Sequence, residues 1–597
     1  CRVYAPVGSH EDLLPYLVRR LLENGANTSF VNRIVDEELP VEQVAEDPIA
    51  KVEQTRPVAH PQIPLPPDIY GAKRKNSYGI NLANEQSLEI LAQRMQAFSD
   101  QRWNVSPIIA EGAAKPDGSS LQNTNPARTS DVIGTIEAAS PSQLDQAIAT
   151  AHAYSAQWNA VHPVSRADML DRAANLMEEN LPELMALCAR EAGKTVRDSI
   201  SEIREAVDFA RYYALQAREH FAHPVRLPGP TGESNELSLH GRGVFACISP
   251  WNFPLAIFTG QICAALAAGN TVLAKPAEQT PAIASVTTRL LHQAGIPREA
   301  LQLLPGDGAT VGARLTADPR IDGVAFTGST ETARLINRTL AARDAPLATL
   351  IAETGGQNAM LVDSSALPEQ VVKDVISSAF LSAGQRCSAL RVLFVQHDIA
   401  DHVVRLLVGA MKELRIGDPR FLATDVGPVI DEDALAILEA HAAKLEKEGR
   451  LVARADLPDN TSGYFFAPCA FEIDSIGQLQ REVFGPILHI VRYRSRDLDR
   501  VIDEINATEY GLTLGIHSRI ERSQEKISSR INVGNCYVNR NMIGAVVGVQ
   551  PFGGERLSGT GPKAGGPHYM LRFATERTLT INTAAVGGNA SLLALDE

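Results

Sequence analysis

The chain has 597 residues, with 56 Lys and Arg against 70 Asp and Glu, a formal net charge of −14. That acidic balance excludes a nucleic-acid binder, which needs basic side chains concentrated along one face. Hydrophobic residues at 44% and charged residues at 21% exclude wholesale disorder and suit about three or four domains, or two large α/β ones.

The seven cysteines (Cys1, Cys188, Cys247, Cys263, Cys387, Cys469 and Cys536) are scattered and form no CxxC pair. A disulfide scaffold or zinc ribbon is therefore excluded, and a reducing, cytoplasmic setting fits. The N-terminus shows neither a signal-peptide pattern nor a Met, so the chain reads as a piece of a longer polypeptide.

In chain order, residues 9–24 form one helical pattern, with Ser9 as N-cap and Gly25 as stop. From 47 to 79 the prolines at Pro48, Pro57, Pro61, Pro64, Pro66 and Pro67 break periodicity and predict a linker or extended arm. Residues 165–192 predict two amphipathic helices, starting at Ser165 and Asn180 and ending at Gly193.

Apolar runs at 243–248, 271–275, 301–304, 323–326 and 349–352 then alternate with helical stretches. This βαβ pattern predicts a doubly wound, nucleotide-binding sheet. The stretch from Gly243 to Ala274 is uncharged, but Pro250, Asn252, Pro254 and Gln261 interrupt it. It reads as buried α/β core, and no membrane span is expected. A second α/β series runs through 359–363, 391–396, 487–492 and 531–538, and a last β run covers 578–582.

Several residues are candidates for chemistry. Cys387 sits in a small, polar setting, Ser382–Ala389, with Arg386 adjacent and able to favour a thiolate; a lone cysteine is more often a core residue. Glu353 ends a strand beside Gly355 and Gly356, where a cleft residue or an exposed acid both fit. Asn252, between Pro250 and Pro254, can aim an amide at an oxyanion or serve as an N-cap.

Phe326–Thr330 is a strand–Gly–helix junction whose N–H groups suit a diphosphate, whereas Gly306–Gly312 has one residue too many for GxGxxG and reads as a turn. Lys275 and Glu278 suit ribose hydroxyls or a solvated pair. The fourteen histidines show no HExxH or paired-ligand spacing, so no metal site is expected.

As an ordered set, Ser249–Pro254, Leu273–Glu278, Phe326–Ser329, Glu353–Gly356, Gly384–Cys387 and Glu482–Pro486 resemble the aldehyde dehydrogenase superfamily. Ile543–Gly554, Leu557–Gly561 and Gly565–Tyr569 resemble its glutamate semialdehyde (pyrroline-5-carboxylate) dehydrogenases. Arg2–Gly8 with Tyr16–Asn27 resembles the last helix of a proline dehydrogenase barrel.

The resemblance implies an α/β aldehyde dehydrogenase fold with a Rossmann-like NAD-binding domain, an α/β catalytic domain and a small β oligomerisation flap. It divides the chain into a barrel remnant (1–46), arm (47–79), NAD-binding domain (80–352), catalytic domain (353–550), return segment (551–575) and flap (576–597). It implies NAD-dependent oxidation of glutamate γ-semialdehyde, with Cys387 as nucleophile, Glu353 as base and Asn252 as oxyanion donor. Trp251, Lys275, Glu278, Gly328, Ser329, Glu482 and Phe484 would hold NAD, and Ser388, Gly544, Ala545 and Phe552 the substrate.

An acid at Glu278 favours NAD over NADP by repelling a 2′-phosphate. Tyr4, Arg19 and Arg20 would be remnants of a proline site, with FAD expected only in the longer parent. The resemblance further implies a homo-oligomer, and a bacterial cytoplasmic protein whose parent associates peripherally with membranes. A thiol hydrolase without nicotinamide, and a dehydrogenase of another aldehyde, are the alternative readings.

Overall fold

The computed structural model describes residues 10–25, 30–36, 39–54, 62–110, 120–229, 233–459 and 462–582. It comprises two compact units, Cys1–Gly71 and Ala72–Glu597.

In the smaller unit, α1 (His10–Gly25) ends on the glycine that the sequence marked as its stop; the expected cap, Ser9, lies outside the described residues. Short helices Phe30–Ile34, Val41–Val44 and Pro48–Gln54 follow. The last of these falls inside the expected arm. Pro48 takes the first helical position, where a missing N–H costs nothing, and Asp47 Oδ1 accepts the Ile49 N–H at 2.9 Å.

In the larger unit the predicted helical stretch is two helices, Pro163–Glu179 and Leu181–Ala192. The first starts before Ser165 because Pro163 presets the backbone and the His162 ring accepts the Val164 N–H at 3.3 Å. Gly193, at φ 65°, closes the second in the left-handed conformation that favours glycine. Next comes α2 (Val196–His220), 25 residues long, which the sequence did not single out. Its acids Asp198, Glu202 and Asp208 are buried, so they mask the polar-out pattern by which a surface helix is recognised.

Five parallel strands follow: β1 (Val244–Ile248), β2 (Thr271–Lys275), β3 (Leu301–Leu303), β4 (Gly323–Thr327) and β5 (Thr349–Glu353). Their order is β3-β2-β1-β4-β5. The order reverses at β1, so the carboxyl ends of β1 and β4 open the crevice where ligands collect in such sheets. Crossover helices are α3 (Ala256–Ala268), α4 (Pro281–Gln293) and α5 (Thr330–Ala342). Covered on both faces, β1 and β2 are buried throughout, which is why they read as unbroken apolar runs.

Gly306–Gly312 is not the expected simple turn. Asp307 caps a helical turn at Gly308–Gly312, its Oδ1 accepting the Thr310 N–H at 2.6 Å, and the chain continues into the helix Ala313–Ala317.

A seven-stranded sheet contains β6 (Ala359–Val362), β7 (Val392–Gln396), β8 (Arg450–Arg454), β9 (Cys469–Glu472), β10 (Ile487–Tyr493), β11 (Thr513–His517) and β12 (Asn535–Val538). The order is β8-β9-β10-β7-β6-β11-β12, with only the edge pair β8–β9 antiparallel. The sequence missed β8, β9 and β11: an Arg-flanked edge, a four-residue strand, and a Thr–His segment with glycine at its centre. It also started β12 too early, at 531. Gly534 there abuts the Gly553 carbonyl so closely that a Cβ would collide with it.

The late β run is longer than expected, Ala574–Ile581, and pairs antiparallel with Ser234–Gly241, which pairs in turn with Val225–Leu227. This three-stranded sheet thus draws on residues far upstream of 576. Among the described residues, no helix is long and apolar enough to cross a membrane.

Candidate active site

Cys387 follows three consecutive left-handed residues, Ser382 (φ 54°), Ala383 (φ 53°) and Gly384 (φ 64°). For the two non-glycines this conformation costs about 1–3 kcal/mol each and persists only where surroundings enforce it. The enforcement is visible. The buried Arg391 donates to the Gly384 carbonyl at 2.7 Å and the Arg386 carbonyl at 3.1 Å. Asn358 Nδ2 donates to the carbonyls of Cys387 at 2.6 Å and Ala389 at 2.9 Å. Neither Asn358 nor Arg391 was legible as a site residue, since nothing local marks a side chain whose partners lie across a sheet.

The thiol lies where two cavities meet. One, of about 90 Å³, is lined by Glu205, Phe253, Gln261, Glu353, Ser388, Gly544, Ala545 and Phe552 among others. The other, of about 360 Å³, is lined by Trp251, Asn252, Gly328, Ser329, Glu482 and Phe484 among others. Cys387, Thr327 and Thr354 belong to both. Residues separated by more than a hundred positions thus share one reaction chamber.

Burial pushes the Cys387 thiol up to about 12, helped by the nearby carboxyls of Glu482, Glu353 and Glu205, while the Ser388 N–H opposes the shift. Arg386 does not serve the thiol as the sequence suggested. Its guanidinium pairs with Asp198 at 2.7 Å and its Nε donates to Ser382 Oγ at 3.1 Å.

Asn252 is no helix cap; α3 is preceded by Leu255. Its Nδ2 donates to the Gln385 carbonyl at 3.1 Å, which anchors the amide beside the thiol loop. An amide carries two N–H donors, so one is left for a ligand.

Glu353 ends β5. Burial pushes its carboxyl up to about 8, with the Gly554 N–H and the Lys563 ammonium opposing. Oε2 accepts the Gly554 N–H at 3.0 Å, while Oε1 is buried without a partner among the described residues. A Cβ at Gly559 would come within 2.8 Å of Oε2, and one at Gly553 within 3.0 Å of Oε1. Both glycines are needed so that the carboxyl can lie there. The ammonium of Lys563, held on the Gly534 carbonyl, is a further group that the sequence reading overlooked.

On the larger cavity, Glu482 is held from two sides: Oε1 by Arg391 Nη2 at 2.9 Å, Oε2 by the Gly356 N–H at 3.1 Å. Trp251 and Phe484 meet edge to face, with centroids 5.6 Å apart. Ser329 caps α5, its Oγ accepting the Thr332 N–H at 3.1 Å, so that the helix N-terminus faces the cavity.

The Gly328 N–H is not available as expected, because it donates to the Glu353 carbonyl at 3.1 Å; diphosphate donors must come from the first turn of α5. Lys275 is buried and pairs with the exposed Glu278 at 3.2 Å, rather than presenting a free pair to solvent. A carboxylate, a helix N-terminus and two aromatic rings around one open cleft fit a dinucleotide. The residues present therefore suit NAD, although Lys275 and Glu278 are not among those lining the cavity.

On the smaller cavity, Gly544 adopts φ 74°, and a Cβ there would meet nothing within 4 Å; glycine answers a conformational need rather than a tight space. Phe552 is fixed by reciprocal backbone bonds with Ala564 at 3.0 and 2.9 Å. In the smaller unit, Arg19 and Arg20 stand exposed on α1, with the Arg19 guanidinium 5.9 Å over the Tyr16 ring; Tyr4 lies outside the described residues.

The chain belongs to the aldehyde dehydrogenase family, whose model matches residues 114–579; a proline dehydrogenase model matches residues 1–33. It is 52% identical over 593 residues to the bifunctional protein PutA of Escherichia coli (strain K12), covering 97% of this chain and 44% of that protein. The crystal structure of a bifunctional proline utilization A (PutA) protein is 54% identical and superposes with a TM-score of 0.85, over 98% of this chain and 56% of that one. A 1-pyrroline-5-carboxylate dehydrogenase from Thermus, solved with bound NAD, is 32% identical with a TM-score of 0.80, covering 85% of this chain and 98% of that one. The chain thus spans about half the length of the PutA relatives it matches, and nearly the whole of the Thermus dehydrogenase.

Proposed function

We propose that this chain oxidises L-glutamate γ-semialdehyde, the ring-opened form of pyrroline-5-carboxylate, to L-glutamate with NAD as acceptor. The observation that carries the reading is the position of Cys387 at the junction of two cavities, one dinucleotide-like and one bounded by an amide-rich loop at Gly544 and Ala545. The PutA and pyrroline-5-carboxylate dehydrogenase relatives support the choice of substrate.

In this reading the Cys387 sulfur attacks the aldehyde carbon and forms a thiohemiacetal. The second Asn252 N–H and the Cys387 N–H stabilise the oxyanion; losing one such donor typically costs about 100- to 1000-fold. Glu482, the α5 N-terminus, Lys275, Glu278, Trp251 and Phe484 hold NAD, which supplies the hydride acceptor when bound. The thioester left on Cys387 is hydrolysed by water that Glu353 deprotonates; a base poised near 8 suits that task.

Burial and the nearby carboxyls favour the protonated thiol, and a cation arriving beside Glu482, Glu353 or Glu205 would lower its pKa. The substrate carboxylate is taken by Ser388 and the Gly544 and Ala545 N–H groups, and Phe552 packs on its chain.

The reading includes an NAD-binding part at 80–352, a catalytic part at 353–550, a return segment at 551–575 and a flap at 576–597 joined by the strands at 225–241. It also includes a homo-oligomer, a bacterial cytoplasmic location, and a longer parent that oxidises proline with FAD. A steady-state NADH assay comparing glutamate semialdehyde, propanal and a non-amino dicarboxylate semialdehyde tests it. Clear preference for the amino acid is expected; equal turnover of propanal would contradict the substrate.

A further inference from the structure

One face of α2 carries four carboxyls, and three are matched. Asp198 takes Arg386 at 2.7 Å. Glu202 takes Lys194 at 3.1 Å and also accepts the N–H groups of Leu255 and Ala256. Asp208 takes Arg74 at 3.1 Å and the Ser77 hydroxyl at 2.8 Å. Glu205 has no hydrogen bond or ion pair among the described residues, and it lines the smaller cavity together with Cys387, Gly544 and Ala545.

The two cations near it, Arg386 and Lys194, are spent on Asp198 and Glu202, while Glu202 and Asp208 repel it. Burial is the larger cause, and together with this repulsion it pushes the carboxyl up to about 8. A cation brought in by a ligand would favour its charged form.

Glutamate semialdehyde brings a cation, and its chemistry gives that cation a second significance. The α-amine stands four carbons from the aldehyde carbon, counting both, so it closes a five-membered ring readily; its condensation with the aldehyde is pyrroline-5-carboxylate itself. On the γ-thioester the same amine has the same reach. Its lone pair would attack the thioester carbon, the C–S bond would break, the amine proton would pass to sulfur, and 5-oxoproline would leave with the thiol restored. No oxidant or co-reactant is needed. Effective molarities of well-oriented intramolecular reactions reach about 10⁵–10⁸ M, so an unprotonated amine competes directly with water.

We propose that Glu205 holds the substrate's α-amino group as an ammonium, and so keeps it from closing on the aldehyde before oxidation and on the thioester after it. An ammonium has no lone pair to donate, and a carboxylate beside it favours that form. Glu205 is a specificity residue whose role is the fate of the acyl group. The inference rests on glutamate semialdehyde being the substrate.

NADH release reports the closure that precedes oxidation, but not the closure on the thioester, which follows it. The test is product analysis by mass spectrometry, with glutamate semialdehyde and NAD at pH 7.5 and 9, for the native chain, Glu205→Gln and Glu205→Asp. Glutamate incubated alone serves as the control for spontaneous cyclisation. The native chain should yield glutamate. Glu205→Gln should raise the 5-oxoproline share at least tenfold, more at pH 9, and lower kcat/KM for glutamate semialdehyde at least tenfold while sparing a non-amino dicarboxylate semialdehyde. Glu205→Asp, charged but one methylene shorter, should fall between, and it carries the test if the glutamine variant does not fold. Variants that form NADH and release only glutamate would overturn the inference. A native chain that forms no NADH from the semialdehyde, yet oxidises other aldehydes, would instead overturn the substrate reading.

Discussion

Asn358 Nδ2 donates to the Cys387 carbonyl at 2.6 Å, and Asn358 Oδ1 accepts the Thr513 N–H at 3.1 Å. One buried amide thereby ties the nucleophile's loop to β11, the strand next to the edge of the seven-stranded sheet. Replacing it by alanine strands buried carbonyls and an N–H, at about 1–3 kcal/mol per unsatisfied group. Asn358→Ala should lower Tm measurably and kcat by about tenfold or more, read by calorimetry and NADH formation. Unchanged values would mean that the loop is held by Arg391 alone.

Cys387→Ala should abolish turnover while NAD still binds, because the sulfur lines the dinucleotide-like cavity but does not hold Glu482 or Ser329 in place. Fluorescence titration with NAD and single-turnover absorbance check both halves. Normal NADH formation by this variant would refute the nucleophile.

Asn252→Ala should lower kcat about 100- to 1000-fold, roughly 3–4 kcal/mol of transition-state stabilisation, with a smaller change in KM. A loss in KM alone would make the amide a positioning group for the Gln385 carbonyl and not an oxyanion donor.

Glu353 makes two linked pH predictions. Its folded pKa is raised to about 8, so between the ordinary carboxylate range and about 8 the folded protein holds a proton that the unfolded chain releases. Stability therefore falls as pH rises through that window, and Glu353→Gln should remove this slope, with its stability gain over the native chain larger at pH 8 than at pH 5. In the native chain, hydrolysis of an acetyl-enzyme formed from p-nitrophenyl acetate should rise to an acidic limb near 8. Lys563→Gln keeps a donor for the Gly534 carbonyl but removes the charge that favours ionised Glu353, so the limb should move alkaline; Lys563→Arg should hold it. A limb unmoved by Lys563→Gln would detach the lysine from the base.

Much of this fold was legible in local pattern. The five strands of the first sheet fall within one or two residues of their apolar runs, because burial on both faces leaves no alternation to misread. Gly193 announced its helix end through the chemistry of left-handed caps. What escaped was whatever depends on partners distant in sequence: the acids of α2 facing inward, β11 with glycine and histidine in an interior strand, and Asn358 and Arg391 clamping the thiol loop. Arg386 shows the same limit. Adjacent to Cys387 in sequence, it turns away to Asp198, and adjacency alone misassigned it.

The central claim is that one sulfur receives the acyl group from one cavity while oxidation occurs from the other. Mass spectrometry of Glu353→Gln, quenched after mixing with glutamate semialdehyde and NAD, tests it most directly. An acyl adduct on the peptide containing Cys387, appearing with one equivalent of NADH, is the predicted result. NADH formed with Cys387 unmodified throughout, or an adduct on another residue, would contradict the account.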